Sequence, residues 1–433
     1  MKFENSLAFA KELDGRDPLK QFRERFYIPV VNGKECIYFT GNSLGLQPKT
    51  TQEYVLNELE DWANYGVEGH FHARNPWLSY HEMFPALLSK IIGAKPEEIV
   101  VMNQLTVNLH LLMTTFYRPT KDRYKIICEA KAFPSDQYAM ESQAILHGFD
   151  PADTIIEVSP AAGKQTIDNA DIIDAIKLHG KSVALVLFSG VNYYNGQVFD
   201  MEQIAKAAHD AGAYCGFDLA HAAGNIALKM HAWDADFACW CSYKYLNSGP
   251  GGVAGIYIHE RHATNTKLPR LAGWWGHDKS SRFKMEKDFI PIPTAEGWQL
   301  SNAPVLSMAA HKASLDIFDE AGMDNLVAKG RDLSNYLLYI LEEINNLSDE
   351  KAIEVITPAN DKEKGCQVSM LMLQNGKNIF EALKKHGVIA DWREPNVIRI
   401  APVPLYNTFE DIFRFGEMIS KVVYKPVSSI ENK

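Results

Sequence analysis

The sequence has no basic block, no long apolar run and too few cysteines for a covalent framework, and each absence removes a class of function. Asp and Glu number 54 against 44 Lys and Arg, a net charge of −10. Without a cluster of cations to follow a phosphate backbone, nucleic acid is not expected as a partner, and the acidic excess mainly favours solubility. The longest uncharged stretch, around SVALVLFSGVNYYNGQVF, is interrupted by Gly, Asn and Gln and makes a poor membrane span. The opening MKFENSLAFAKELDGRDP carries charges every few residues and cannot form the apolar centre of a signal peptide. The expectation is a cytoplasmic protein without a membrane partner.

The cysteines (Cys36, Cys128, Cys215, Cys239, Cys241 and Cys366) sit mostly in apolar segments, like buried free thiols. CWC is not CxxC, and HERH at 259–262 lacks the HExxH order of a zinc helix, so no metal is expected. No internal repeat is present, and no G-x-x-x-x-G-K-[ST] loop occurs. GPGGVA matches the letters G-x-G-x-x-A, but a strand follows it where a dinucleotide fingerprint must open a helix.

What is present is a chain of 433 residues, 46% apolar and 23% charged, enough for two or three globular domains. Between about 85 and 260, short apolar runs alternate with amphipathic ones. YKIICEA (124–130), DTIIEVS (153–159), SVALVLFSG (182–190), AYCGFDLA (213–220), DFACWCS (236–242) and GVAGIYIH (252–259) read as strands. SDQYAMESQAILHG and MEQIAKAAHDAG read as helices, the second closing at Gly212. Continuous apolar strands separated by helices imply a largely parallel sheet covered on both faces. After about 310, two strands (CQVSMLML, VIRIAP) among three helical stretches suggest a smaller α+β domain, and the final KPVSSIENK is polar and expected to fray.

Ligands of an open parallel sheet sit at the carboxyl ends of its strands. Asp218 falls at one such end with His221 just beyond, and Lys244 follows a later strand inside SYKYLNSGPGG. Lys244 and Asp218 can be read as a structural ion pair. They are also the two groups that pyridoxal phosphate most needs, an amine for its aldehyde and a carboxylate for its pyridine nitrogen. NQLTVNLHLLMTTFY, with Thr106 ahead of a helical run, and AFPSDQYAM, with Phe133 and Asp136, read either as ordinary N-caps or as an anion site and a ring platform.

Beyond these single residues, GNSLGLQPK, NQLTVNLHLLM, EAKAFPSDQYA, GFDLAHAAGN, FACWCSYKYLN, GWWGH, RFKM and IRIAPVPLYN closely resemble the kynureninase family, in order, from about 38 to 420. The resemblance implies an α/β, aspartate aminotransferase-like fold (fold type I): a large cofactor-binding domain with a mostly parallel central sheet over 51–310, and a small α+β domain over 311–433 against which 1–50 packs. It implies pyridoxal phosphate as cofactor and a homodimer with shared active sites.

Lys244 would be the Schiff-base lysine, Asp218 the partner of the pyridine nitrogen, and His221 would lie close to the cofactor. Leu105 and Thr106 would receive the phosphate, Phe133 would stack on the ring, and Asp136 and Ser189 would join its hydrogen bonds. Tyr243 would touch the phosphate and donate a proton. Trp274 and Asn302 would be phosphate contacts lent by the second subunit. Arg399 would clamp the substrate α-carboxylate, with Ser43, His70, Trp275 and Asn302 lining the substrate pocket. The implied reaction is hydrolysis of kynurenine or 3-hydroxykynurenine to alanine plus anthranilate or 3-hydroxyanthranilate. His70, Ser301 and Asn302 match the pattern that accompanies preference for the hydroxylated substrate.

The rival on the same fold is a cysteine desulfurase-like lyase, since fold alone fixes no reaction. It needs a reactive cysteine on a mobile loop beyond the lysine, and Cys366, the only cysteine after Lys244, opens an expected strand.

Overall fold

A computed structural model describes residues 2–424; the tail KPVSSIENK, expected to fray, lies outside them. Seven strands make the large sheet: β1 (Ile99–Val101), β2 (Lys125–Glu129), β3 (Ile155–Val158), β4 (Val183–Ser189), β5 (Tyr214–Asp218), β6 (Phe237–Trp240) and β7 (Gly255–Ile258). Their spatial order is β1-β7-β6-β5-β4-β2-β3. β2 to β6 are mutually parallel, whereas β7 runs antiparallel to both β6 and β1. All six expected strands are present, and β1 is an addition at the edge.

Alternation along the strands feeds two cores. Ile127, Val186, Phe217 and Ala238 face one layer, and Ile126, Cys128, Leu185 and Cys239 face the other. Burial on both sides explains why these strands read as continuous apolar runs. Helices α1 (Leu105–Phe116), α2 (Pro134–Leu146) and α3 (Met201–Asp210) cover the sheet. Gly212 takes φ +73° just beyond α3, the left-handed region expected of a residue closing a helix.

The smaller sheet has strands β8 (Ile353–Val355), β9 (Val368–Met372), β10 (Asp391–Arg393) and β11 (Val397–Ile400), in the order β8-β9-β11-β10. Its core takes Val368, Met370, Ile398 and Ile400 from the strands, Leu337 and Ile340 from a long helix (Met323–Asn345), and Ala10, Leu13, Ile37 and Phe39 from the first fifty residues. The expected boundary at 310 falls inside a helix, Val305–Ala321, whose Met308, Leu315 and Phe318 all pack into the large sheet's core. The next helix, Met323–Asn345, still gives that core Leu326 before Leu333 and Leu337 enter the small sheet's core, so the passage between the two cores lies within it.

HERH has a structural role. Asp236, buried beneath β6, accepts from His262 Nε2 and Arg261 Nη2 at 2.6 Å each, from His209 Nε2 at 2.9 Å and from the Cys215 N–H at 2.6 Å. Burial pushes the Asp236 pKa up, but the hydrogen bonds from His209, His262 and Arg261 prevail and hold it below 3.8. A carboxyl depressed in the folded state stabilises above its unfolded pKa, and this contribution is lost as pH falls through the folded value. Asp236→Asn is expected to cost about 3 kcal/mol at neutral pH. Thermal unfolding of the two proteins checks this: their midpoints should differ at pH 7 and converge in strong acid.

Candidate active site

Four residues beyond β6 the chain turns back on itself. Ser242 and Ser248 hydroxyls meet at 2.6 Å, the Asn247 N–H donates to the Lys244 carbonyl at 3.0 Å, and Asn247 takes φ +52° to close the turn. Gly45 donates its N–H to the Tyr243 carbonyl at 2.8 Å, and a Cβ there would collide with the Lys244 carbonyl and Asn247. The glycine lets the segment after Phe39 lie directly against the lysine loop. The Lys244 side chain is thereby held with Nζ 3.1 Å from His221 Nε2 and 5.7 Å from the centre of the Phe133 ring.

The lysine faces buried carboxyls. Asp218 ends β5 and accepts the Ala220 N–H at 2.6 Å, and Asp136, in the first turn of α2, hydrogen-bonds to Asp218. Two buried carboxyls in contact cannot both ionise cheaply. Burial, then the charge of Asp218, pushes Asp136 well above the usual carboxylate range, while Lys244 and the Ala220 N–H oppose the smaller rise at Asp218. The balance favours the proton on Asp136. Burial first, then the charges of Lys244, Arg399 and Arg393, lowers His221 well below its usual value, so its imidazole is neutral. This answers the ion-pair reading: among the described residues no carboxylate lies within 4.0 Å of Lys244 Nζ, whose partner is an uncharged ring.

Leu105, Thr106, Phe133, Asp136, Ser189, Asp218, His221, Tyr243 and Lys244 line one cavity of about 70 Å³. α1 and α2 both begin at this cavity, and neither has a side-chain cap: Thr106 is the second residue of its helix, not its cap. The first-turn N–H groups of α1 suit an anion, whereas α2 opens with Pro134, which has no N–H, and its Asp136 N–H already donates to the Phe133 carbonyl at 2.9 Å. The buried His221 Nδ1 has no partner. A group with a phosphate for the end of α1, a ring for Phe133, a ring nitrogen for Asp218 and an aldehyde for Lys244 would fit these features together.

The remaining expected site residues do not line this cavity. Ser43 and Asn302 are exposed, His70 packs edge-on against Trp77 at 5.5 Å, Trp274 is exposed, and Trp275 is buried with Arg282 over its ring. Arg399 is fully buried, and its guanidinium donates to Asp391 and to the Tyr193 carbonyl.

Two residues escaped the sequence reading. Tyr193 lines the cavity with its ring edge against Phe133 at 5.2 Å. Glu129, the last residue of β2, accepts from Ser189 Oγ at 2.5 Å and Ser189 N–H at 3.1 Å, and burial pushes its pKa up to about 7. A carboxylate ending the strand next to Ser189's, two strands from Asp218's, was the available signal.

A larger cleft, of about 780 Å³, runs between residues 166–203 and 360–366, but its buried amine, Lys364, is already bound to Asp361 and the Ala359 carbonyl. Glu98, His231 and His259 bring donor atoms within 4.8 Å of one another, yet His231 and the Lys95 and Glu260 N–H groups already engage Glu98, and the Arg261 N–H engages His259.

Residues 326–419 match the family model described as the kynureninase C-terminal domain. The chain is similar to the kynureninase of Flavobacterium psychrophilum, 54% identical over 421 residues, 97% of this chain and 99% of that one. It is 49% identical to that of Koribacter versatilis over 95% and 97% of the two chains, and 48% identical to that of Nematostella vectensis over 96% and 93%. Among solved structures, apo cysteine desulfurase from Thermococcus onnurineus superposes with a TM-score of 0.72 at 20% identity, covering 90% of this chain and 94% of that one. A mutant of C-DES with glycine covalently linked to its PLP cofactor superposes with a TM-score of 0.74 at 16% identity, covering 89% and 96%. At such identities these two likenesses establish the fold alone.

Proposed function

The chain belongs to the kynureninase family, and from that membership we propose that it hydrolyses L-kynurenine and 3-hydroxy-L-kynurenine, the latter faster. The products are L-alanine with anthranilate or 3-hydroxyanthranilate. Kynurenine cleavage follows from the family and pyridoxal phosphate is the cofactor; the substrate preference and the residue roles are our own reading. The observation that carries it is the Lys244 amine, held against a neutral histidine and facing the Asp218–Asp136 pair at the carboxyl ends of the sheet.

When bound, pyridoxal phosphate supplies an aldehyde that takes an amine and a ring that accepts electrons. Lys244 holds that aldehyde at rest and, as a free amine, moves the proton at the substrate α-carbon. Asp218 keeps a proton on the ring nitrogen. Asp136, retaining its own proton, donates to Asp218 and leaves it the ionised member. Leu105 and Thr106 bind the phosphate through the open end of α1, beside Tyr243. Phe133 stacks on the ring, with Ser189 and His221 fixing its orientation. Tyr243, whose pKa is pushed up by burial and then by Cys241, stays protonated and can donate at the side-chain ketone to which water adds. Arg399 binds the α-carboxylate.

Ser43, His70, Trp275 and Asn302 would surround the aromatic end of the substrate, with Trp274 and Asn302 contributed across a homodimer. Support for a second copy comes from large apolar side chains left in solvent: Trp62 is 61% exposed, Phe71 56%, Phe283 55% and Met285 73%. We place the protein in the cytoplasm, in tryptophan catabolism leading toward NAD. The desulfurase reading lacks its nucleophile: Cys366 is buried, and burial pushes its thiol up to about 12.

One hydrogen bond to the ring hydroxyl is worth roughly tenfold in rate. The ratio of kcat/KM for 3-hydroxykynurenine over kynurenine is therefore expected to be about ten. Parallel assays read it directly, and a ratio of one or below removes the preference.

A further inference from the structure

The small sheet has one apolar and one polar face. Met370, Ile398 and Ile400 point into the helical core, and the alternate positions carry Gln367, Ser369, Asp391, Arg393 and Arg399. This polar face docks on the bend after β4. Ser369 Oγ donates to the Tyr194 carbonyl at 2.7 Å, Gln367 Nε2 donates to the Tyr193 carbonyl at 3.1 Å, and Arg399 also donates to the Tyr193 carbonyl. Tyr193 is part of the wall of the lysine cavity, so the polar face closes the site from the side of the small domain.

Asp391 lies directly opposite Arg399 in the β10–β11 register, two residues before Arg393 on the same face. Its Oδ2 accepts from Arg399 and, at 3.1 Å, from Arg393 Nη2. One carboxylate thus bridges two guanidiniums, and the cluster keeps a net positive charge. It also keeps unused donors: the Nε–H groups of both arginines are buried and have no partner. Arg399 is fully buried, so this vacancy is expensive unless an anion fills it. Both positive charges act on His221, the residue touching the Lys244 amine.

We propose that the substrate α-carboxylate is bound by two guanidiniums, Arg393 as well as Arg399, with Asp391 holding the two forks side by side. This rests on the reading above that Arg399 binds the carboxylate. Arg393 is a specificity-determining residue: it selects amino acids over amines and amides by supplying a second charge-assisted donor.

The test is a spectral titration of the pyridoxal phosphate-loaded protein with L-alanine and with L-alaninamide, which differs in lacking the carboxylate charge. Wild type, Arg393→Gln, Arg393→Lys and Arg399→Gln are compared, with cofactor affinity and thermal midpoint measured for each. Arg393→Gln should weaken alanine about tenfold and leave alaninamide and cofactor affinity unchanged. Arg393→Lys, which keeps the charge without the fork, should fall between and serves if the glutamine variant folds poorly. If Arg399→Gln loses the preference for alanine while both Arg393 variants keep it, the proposal is overturned and the Arg399 reading stands. If none loses it, both fall. Equal weakening of alanine, alaninamide and cofactor in the Arg393 variants makes its role structural and also overturns the proposal.

Discussion

Lys244→Ala should release no measurable alanine from kynurenine, a fall on the order of 10⁴-fold or more, because one amine both anchors the cofactor and moves the α-proton. The loss should be chemical. Lys244 makes one side-chain hydrogen bond, to His221, so the fold has little to lose. The variant should keep the wild-type thermal midpoint without cofactor and still bind pyridoxal phosphate at the end of α1, with an absorption spectrum closer to that of the free aldehyde. Residual turnover above about one per cent would assign the proton transfer to another group.

Asp218→Asn should lower kcat on the order of 10² to 10³-fold, the scale of one preorganised electrostatic contact to the reacting system. An amide carries no charge to keep a proton on the pyridine nitrogen, although its oxygen can still accept from Asp136. Asp136→Asn is the informative companion. Its amide can still donate to Asp218, so kcat should fall about tenfold at most. Equal losses in the two variants would mean that the proton does not reside on Asp136, and the division of charge inside the pair would have to be reversed.

The layout of the site was legible because each part carries a local physical signal. Asp218 ends an apolar strand, Lys244 sits among turn residues after another, and Thr106 and Phe133 lie where helices begin. Their convergence follows from a parallel sheet, which sends every strand end to one side. The antiparallel edge was less legible, since Ile99–Val101 reads the same in either direction and only its pairing with β7 sets its sense.

Glu129 and Tyr193 were missed for different reasons. Glu129 looks like a strand boundary until Ser189 is brought beside it. Tyr193 owes its place to backbone contacts with a sheet nearly two hundred residues away. The bridge from Asp391 to Arg399 is a cross-strand pair within one hairpin, so its signal was present in the alternation of DWREPNVIRI.

The central claim is that this site breaks the carbon–carbon bond of kynurenine with water. The direct measurement is a product balance: L-kynurenine with the pyridoxal phosphate-loaded protein, with alanine and the aromatic acid quantified over time. The account predicts one alanine for each anthranilate formed, dependent on the cofactor, and no sulfide from L-cysteine under the same conditions. Intact kynurenine alongside cysteine-dependent sulfide release would contradict it and leave only the fold.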